Sequence, residues 1–206
     1  MNPPTISRWI RLGRLGRDDR AAQIVEFAVA LPLLVVFVVG IFDFSGAFTL
    51  KQKLTNVARD AARSAAAGPT NDLTLPITAV PISVNDAAQI VDNYLIVNHL
   101  SDCGFDPTTA AAAGLSWTYT ATTGCPAPGL TVVVNRGYYF AAASGGQPAG
   151  LTCASPGAGA ATAVISTCVS IQYPYQWRFG RAASLLGSAT ALPMQVHATA
   201  VAMNEN

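Results

Sequence analysis

Charged side chains are scarce in this sequence. They make up 11% of its 206 residues, against about 25% in an ordinary soluble domain. From Lys51 to the C-terminal end there are seven basic and seven acidic side chains, so this part of the chain is close to neutral. A near-neutral surface has no basic footprint for DNA or RNA, which excludes a nucleic-acid partner. Low charge also suits a protein that assembles, because its copies repel one another little.

The common catalytic and metal-binding motifs are also missing. The sequence contains no H-E-x-x-H, G-x-S-x-G, phosphate-binding loop or C-x-x-C. Its two histidines, His99 and His197, have no acidic and nucleophilic partner nearby in the sequence, so we interpret both as structural. We predict a protein that is not an enzyme and that needs neither a metal nor another cofactor. An alternative is a secreted enzyme of unrecognised class, whose mature chain would start near Phe48.

Four cysteines are present, and all of them lie well after the apolar run described below. Without C-x-x-C spacing and with two histidines, disulfides in an oxidising compartment are favoured over a zinc site. Four cysteines allow three pairings. We favour Cys103–Cys125 and Cys153–Cys168, because each closes a short loop rich in glycine, proline and alanine.

One long apolar run dominates the N-terminal part of the chain. Phe27–Phe42 has no charged residue, and Ile24–Leu50 carries only Glu26 and Asp43. As a helix the longer stretch would span about 40 Å, which exceeds the ~30 Å hydrocarbon core of a bilayer. Basic residues nearly balance on the two sides of the run, so the cysteines decide the orientation and place the C-terminal part outside the cytoplasm.

Three interpretations of the run compete. It is an uncleaved anchor, a signal peptide cut near Ser45–Ala47, or an anchor with a pilin-type leader that is cut on the cytoplasmic side. An apolar core of 16 residues is long for a signal peptide, which disfavours the second interpretation.

The helical pattern continues beyond the apolar run. Apolar and small residues recur at helical spacing up to Gly68–Pro69, which ends the pattern, so we predict one helix over 22–67. We call this row of residues the stripe. It docks on the chain's own domain, packs against helices of neighbouring subunits, or does both, since small residues allow close approach of backbones. The stripe consists of Leu54, Val57, Ala58, Ala61, Ala62 and Ala65.

The remaining chain predicts an α+β domain. A proline-containing connector over 68–83 leads to a second helix over 83–100, with Ser83 or Asn85 as its cap. Alternating and β-branched segments then predict an antiparallel sheet of about four strands with the helices on one face. The predicted strands cover Leu115–Thr123, Leu130–Asn135, Ala163–Tyr173 and Met194–Met203.

Several short motifs occur in a recognisable order. A basic leader is followed by Val25–Glu26–Phe27, then by Leu31–Pro32–Leu33–Leu34, by Asp43–Phe44, and by an asparagine-alanine-arginine segment over Leu54–Arg63. This order resembles the start of TadE/TadG-like proteins, the minor pilins or pseudopilins of tight-adherence (Flp-type IV) pilus systems. The tail from Ser170 is similar to the closing strands of that family.

The resemblance implies a pilin-like head on a helical stalk. It divides the chain into a basic cytoplasmic leader over 1–21, a transmembrane and stalk helix over 22–67, and an extracytoplasmic α+β domain over 68–206. It implies a single-pass protein of the bacterial inner membrane. The pilus and the cell surface are the further locations that it allows. The implied partners are the membrane, other pilin or pseudopilin subunits, the assembly platform and a prepilin peptidase. The alternative is an envelope binding or adhesion module whose helix is only an anchor.

The resemblance also implies roles for residues at the start of the helix. Leader cleavage would fall between Ala21 and Ala22, which makes Glu26 the fifth mature residue, followed by Phe27. Alanine stands at position 21 where the family usually has glycine. Glu26 then pairs with the N-terminal amine of a neighbouring subunit, a contact that sets register because a mis-registered charge is left unpaired. The alternative is a carboxylate near the lipid headgroups that is favoured by the helix dipole.

Overall fold

A computed structural model describes residues 19–73, 79–141, 152–154, 163–177 and 194–205. The predicted α+β class is confirmed: a long N-terminal helix and a second helix accompany an antiparallel sheet. A short 3-10 turn, Asn71–Leu73, lies between the helices. The helices are α1, Asp19–Ala67, and α2, Ile82–Val97; the strands are β1, Ala111–Ala113; β2, Ser116–Ala121; β3, Leu130–Ala141; β4, Ala163–Tyr175; and β5, Met194–Met203.

The sheet is a simple antiparallel meander in the order β1-β2-β3-β4-β5. In the middle of the register, Val132 of β3 lies opposite both Tyr119 of β2 and Ile171 of β4. The sheet has one strand more than the sequence predicted. The additional strand, β1, consists of three exposed alanines, which carry neither the alternation nor the β-branched side chains that indicate a strand.

Contacts along the chain separate two compact units, Met1–Phe42 and Asp43–Asn206. The boundary falls within α1. Within the first unit the structure describes helix from residue 19 onward, and we call its residues 23–42 the apolar segment. The second unit, which we call the head, contains the rest of α1, the helix α2 and the sheet.

Among the described residues, the larger of two buried clusters is the main core of the head, which lies between the helices and one face of the sheet. Alternate residues of each strand contribute to it because successive side chains in a strand point to opposite faces. The stripe of α1 and one face of α2 supply the other side. Fully buried members from the strands and from α2 include Trp117, Tyr119, Val132, Val134, Val169, Ile171, Val84, Ala88, Val91 and Leu95.

Helix α2 begins without the side-chain cap that the sequence predicted. Its N-cap is Pro81, which forms no side-chain cap hydrogen bond. Instead, the main-chain N–H and the hydroxyl of Ser83 both donate to Oδ2 of Asp72, at 3.3 and 3.1 Å. A carboxylate from the preceding 3-10 turn therefore occupies the helix N-terminus, where the dipole favours negative charge.

Two disulfides join the four cysteines. Cys103 is bonded to Cys125, with Cα atoms 5.2 Å apart, and Cys153 to Cys168, with Cα atoms 5.6 Å apart. These are the two pairs favoured from loop composition. The first links the loop after α2 to the loop after β2, and the second attaches the described segment 152–154 to β4. Each is worth about 2–4 kcal/mol, mainly through restriction of the unfolded chain.

Some sequence predictions fall outside the described residues. They are the leader before residue 19, positions 74–78 of the connector, and positions 178–193 of the tail.

Candidate functional site

The apolar segment of α1 presents apolar side chains to its surroundings. Apart from Val39, which is partly buried, the large apolar residues from Ile24 to Phe42 are 41–71% exposed. The helix contains an 18-residue window with a mean hydropathy of 2.7, none of it buried, and is long and apolar enough to cross a membrane. Pro32 lies inside the helix without ending it, as proline can in membrane helices. An exposed apolar surface of this length indicates an interaction with a membrane or with another protein.

The residues implied in processing and register lie at the start of this segment. Ala21 and Ala22 fall within the first turn of α1, and Glu26 lies about one turn further along. Both Glu26 and Phe27 are exposed, and the latter is 65% accessible. The carboxylate of Glu26 is therefore open to a group from outside the chain.

The stripe has a different environment from the apolar segment. All six of its side chains are at most 1% exposed, and all belong to the main core of the head. Of the two alternatives left open by the sequence, docking on the chain's own domain is the one that the structure contains. Because the head covers all six side chains, the stripe has no remaining surface for a neighbouring subunit.

The end of β4 is attached to α1 where the head begins. The hydroxyl of Tyr175 donates to the main-chain carbonyl of Asp43 at 3.0 Å. Gly46 makes room for this contact, since a Cβ at that position would lie 2.9 Å from the Tyr175 hydroxyl oxygen. Asp43 itself is only 5% exposed. The first turn of α1 within the head is thus fixed by a strand that lies about 130 residues later in the sequence.

Aromatic rings surround this attachment. Phe44 meets Trp177 edge to face, with ring centroids 5.5 Å apart, and Trp177 meets Tyr175 in the same way at 5.6 Å. Phe44 remains 66% exposed, and Phe48, one turn later, is 64% exposed. In the sequence, Asp43–Phe44 and the tail from Ser170 are separate motifs, and nothing in either one showed that they meet.

A buried arginine organises the opposite end of α1. Arg136 of β3 is 1% exposed, and its Nη2 donates to the main-chain carbonyl of Gly68 at 3.1 Å. Burial lowers the pKa of Arg136, while the nearby Asp72 carboxylate acts in the opposite direction. A cation beside the last carbonyls of a helix is favoured by the helix dipole. No sequence pattern indicated this role, because Arg136 is a single charge inside a strand.

The space around Gly68 is equally restricted. A Cβ at this position would lie 2.6 Å from Cβ of Ser83 and 3.3 Å from Nη1 of Arg136. The end of α1, the start of α2 and the strand β3 therefore approach one another as closely as a glycine permits.

The two histidines lie apart from each other and from any metal-like cluster. His99 follows the end of α2 and is exposed, whereas His197 lies in β5. Lys51 of α1 donates from Nζ to the main-chain carbonyl of His197. Within the described residues no three histidine, cysteine or acidic side chains are placed to hold a metal ion.

Comparison with known families identifies the segment that carries these features. Residues 21–63 match the family model described as TadE-like protein. This segment of the chain is similar to the TadE-like family. The TadE-like family is a structural, pilus-associated family, and the resemblance inferred from the motifs is confirmed over these residues. No curated protein and no solved structure matches the chain significantly.

The TadE-like match covers the implied cleavage site, Glu26, the apolar segment and most of the stripe. It ends before α2 and the sheet, so it does not include the attachment of β4 to α1 or the buried Arg136. The resemblance of the tail to the closing strands of the family stays a prediction.

Proposed function

We propose that this protein is a minor pilin or pseudopilin that takes part in the assembly of a tight-adherence pilus. One helix supplies both parts that such a role needs. Its apolar segment is exposed and long enough to cross the inner membrane, and its continuation builds the core of a disulfide-bonded head. The head lies outside the cytoplasm, where disulfides persist. The single observation that carries the proposal is the TadE-like match on this helix.

The structure of the head argues for a retained anchor rather than a cleaved signal peptide. A cut near Ser45–Ala47 would remove Asp43, which binds Tyr175, and Phe44, which contacts Trp177. It would also divide α1 within the compact unit, which begins at Asp43. Leader cleavage between Ala21 and Ala22 leaves all these contacts intact.

Assembly contacts in this proposal come from the apolar segment, because the stripe is occupied by the head. Cleavage after Ala21 gives Ala22 a free amine, and Glu26 of a neighbouring subunit pairs with it. In a low-dielectric surrounding, an ion pair offsets its desolvation only when both partners are present, so the pair rejects misaligned subunits. The partners are other pilin or pseudopilin subunits, the assembly platform and a prepilin peptidase, and no catalytic role is proposed for the chain itself.

Substitution of Glu26 tests the register role. We expect Glu26→Ala and Glu26→Gln each to reduce the number of surface pili by roughly tenfold, because an unpaired amine in a low-dielectric site is costly. Carbonate extraction should still find both variants in the membrane. The exposed Gln23, substituted by alanine, is the matched control and should leave piliation unchanged. Normal piliation of both Glu26 variants would refute the register role.

The N-terminal residue of the mature protein tests processing independently. We expect Ala22 from Edman sequencing or intact mass. A chain that still starts at Met1 contradicts cleavage while leaving the anchor in place, and a start near Phe48 contradicts the anchor.

A second candidate function is an envelope binding module with a plain anchor. The burial of the whole stripe in the chain's own head favours it, since that surface is then unavailable for assembly. Replacing residues 27–42 by an unrelated apolar helix of equal length separates the two functions. A plain anchor tolerates the exchange, whereas a pilin-like subunit loses piliation.

A further inference from the structure

The aromatic side chains at the start of the head form one surface, which we call the collar. The collar consists of Phe44 and Phe48 on α1 together with Tyr175 and Trp177 at the end of β4. The two phenylalanines are 66% and 64% exposed, while the rings of Tyr175 and Trp177 are half-buried. Exposed aromatic rings are unfavourable in water unless another surface covers them.

The position of the collar in the chain indicates what covers it. Phe44 follows the apolar segment directly within α1 and lies 18 residues after Glu26, or about 27 Å along a helix. A bilayer core of ~30 Å that begins near Glu26 therefore ends near Phe44. Phe48 lies one further turn outward, which is the depth of the headgroups. Tryptophan and tyrosine are enriched at this depth, because each combines an apolar ring with a polar group.

We propose that the collar is a lipid-binding surface that seats the head on the outer boundary of the inner membrane. This inference rests on the membrane anchoring proposed above and adds a second, peripheral contact to it. The occupant is the region where acyl chains meet headgroups. Because Tyr175 is bound to Asp43 and the rings of Phe44 and Trp177 contact each other, the strand β4 and the helix α1 enter this region as one surface.

The two elements that form the collar, α1 and β4, are attached to each other. Gly46 lets Tyr175 lie against α1, so β4 reaches the helix at its first turn within the head. No long flexible spacer separates Phe44 from the last residue of the apolar segment. The collar therefore begins two residues after the apolar segment, on two elements that are attached to each other.

Tryptophan fluorescence in lipid vesicles tests the proposal on the full chain. The chain has three tryptophans, of which Trp117 is 1% exposed in the core. In a Trp9→Phe background, emission comes from Trp117 and Trp177. Phosphatidylcholine brominated near the glycerol end of its acyl chains should quench the Trp177 component by roughly twofold or more, since such groups lie at the depth of the aromatic belt. Iodide in the surrounding water should quench it little.

Two variants define the background and the control. Trp9→Phe with Trp177→Phe leaves Trp117 alone, and bromine should then have little effect. Adding Ile82→Trp to that double variant places a tryptophan at a site that is 72% exposed and adjoins the far end of α1. That end lies 24 residues after Phe44, or about 36 Å along the helix, so this tryptophan should respond to iodide and not to bromine.

Each outcome decides the proposal. Quenching of Trp177 by bromolipid but not by iodide supports it. Quenching by iodide at the level of the Ile82→Trp variant overturns it, because the collar then faces water. Protection from both quenchers also overturns it, because Trp177 is then covered by protein and not by lipid. Carbonate extraction of the same samples separates these results from failure of the proposed anchoring, because a protein released by carbonate has lost the anchor itself.

Discussion

The two parts of α1 are one continuous helix with opposite surroundings. In the apolar segment, nearly all large side chains are exposed, and Glu26 is its one charged residue. Within the head, the same helix buries a narrow stripe of small residues and exposes charged ones such as Arg59 and Asp60. The difference is one of pattern, because a helix that is apolar all round suits lipid, whereas one with a single apolar face suits a protein core.

The difference in side-chain size has a structural consequence. The alanines of the stripe are fully buried in the core of the head, although their side chains are small. The bulky residues of the apolar segment could not pack in this way on one face without leaving the others exposed. Each part therefore fits one surrounding, and the comparison predicts that equivalent substitutions will have unequal effects.

The largest expected difference comes from truncating a leucine in each part. Leu54→Ala should lower the free energy of unfolding of the head by about 2–5 kcal/mol, because the side chain is fully buried and its loss leaves a cavity. Leu34 is 60% exposed, and Leu34→Ala should change that free energy by less than about 0.5 kcal/mol. Denaturant unfolding of the full chain in detergent micelles, followed by near-ultraviolet circular dichroism, measures both. Equal effects would contradict the division of α1.

Much of the fold could be predicted from the sequence because its signals are local. The apolar run and the stripe follow helical periodicity, and α1 was predicted to within a few residues at its start. The ends of the strands were harder to predict from the sequence. The strand β3 runs on to Ala141 although its predicted end was Asn135, because a register shift between Asn135 and Tyr138 interrupts the alternation. The strand β4 continues through Pro174, where pairing with β3 has already ended and pairing with β5 remains.

The candidate site was predictable only in part. Glu26 and the cleavage site follow from local motifs that the TadE-like match also covers. The contacts of Tyr175 with Asp43 and of Arg136 with Gly68 join residues that are 132 and 68 positions apart. Such contacts depend on how the sheet packs against α1, and no local pattern in a single sequence records that packing.

A smaller effect should follow from filling Gly46. Gly46→Ala should push the Tyr175 hydroxyl away from Asp43, since the new Cβ would lie 2.9 Å from its oxygen. Tyr175→Phe removes that oxygen, so the alanine should then be tolerated. We expect a coupling free energy of about 1 kcal/mol between the two substitutions, measured by the unfolding of both single variants and the double variant. Gly40, in the apolar segment, has nothing within 4 Å of such a Cβ, and Gly40→Ala should show no coupling to Tyr175→Phe.

The smallest expected effect concerns the link between α1 and the edge strand β5. Burial and the charge of Lys51 lower the pKa of His197 below its ordinary 6.5. As the pH falls below about 6.5, the unfolded chain therefore takes up a proton that the folded chain resists, and the free energy of unfolding decreases until the lowered pKa is passed. Above that range the histidine is neutral in both states and has no effect.

Replacing His197 by glutamine should thus make stability less dependent on pH in this window, as measured by urea unfolding between about pH 8 and pH 5. His99→Asn is the control, because His99 is exposed and asparagine accepts its positive φ of 55°. An identical pH dependence in wild type and His197→Gln would show that the contact of Lys51 with β5 does not sense the charge of the histidine. A shallower dependence only in His197→Gln would confirm that α1 within the head is sensitive to its polar neighbours, in contrast to the apolar segment.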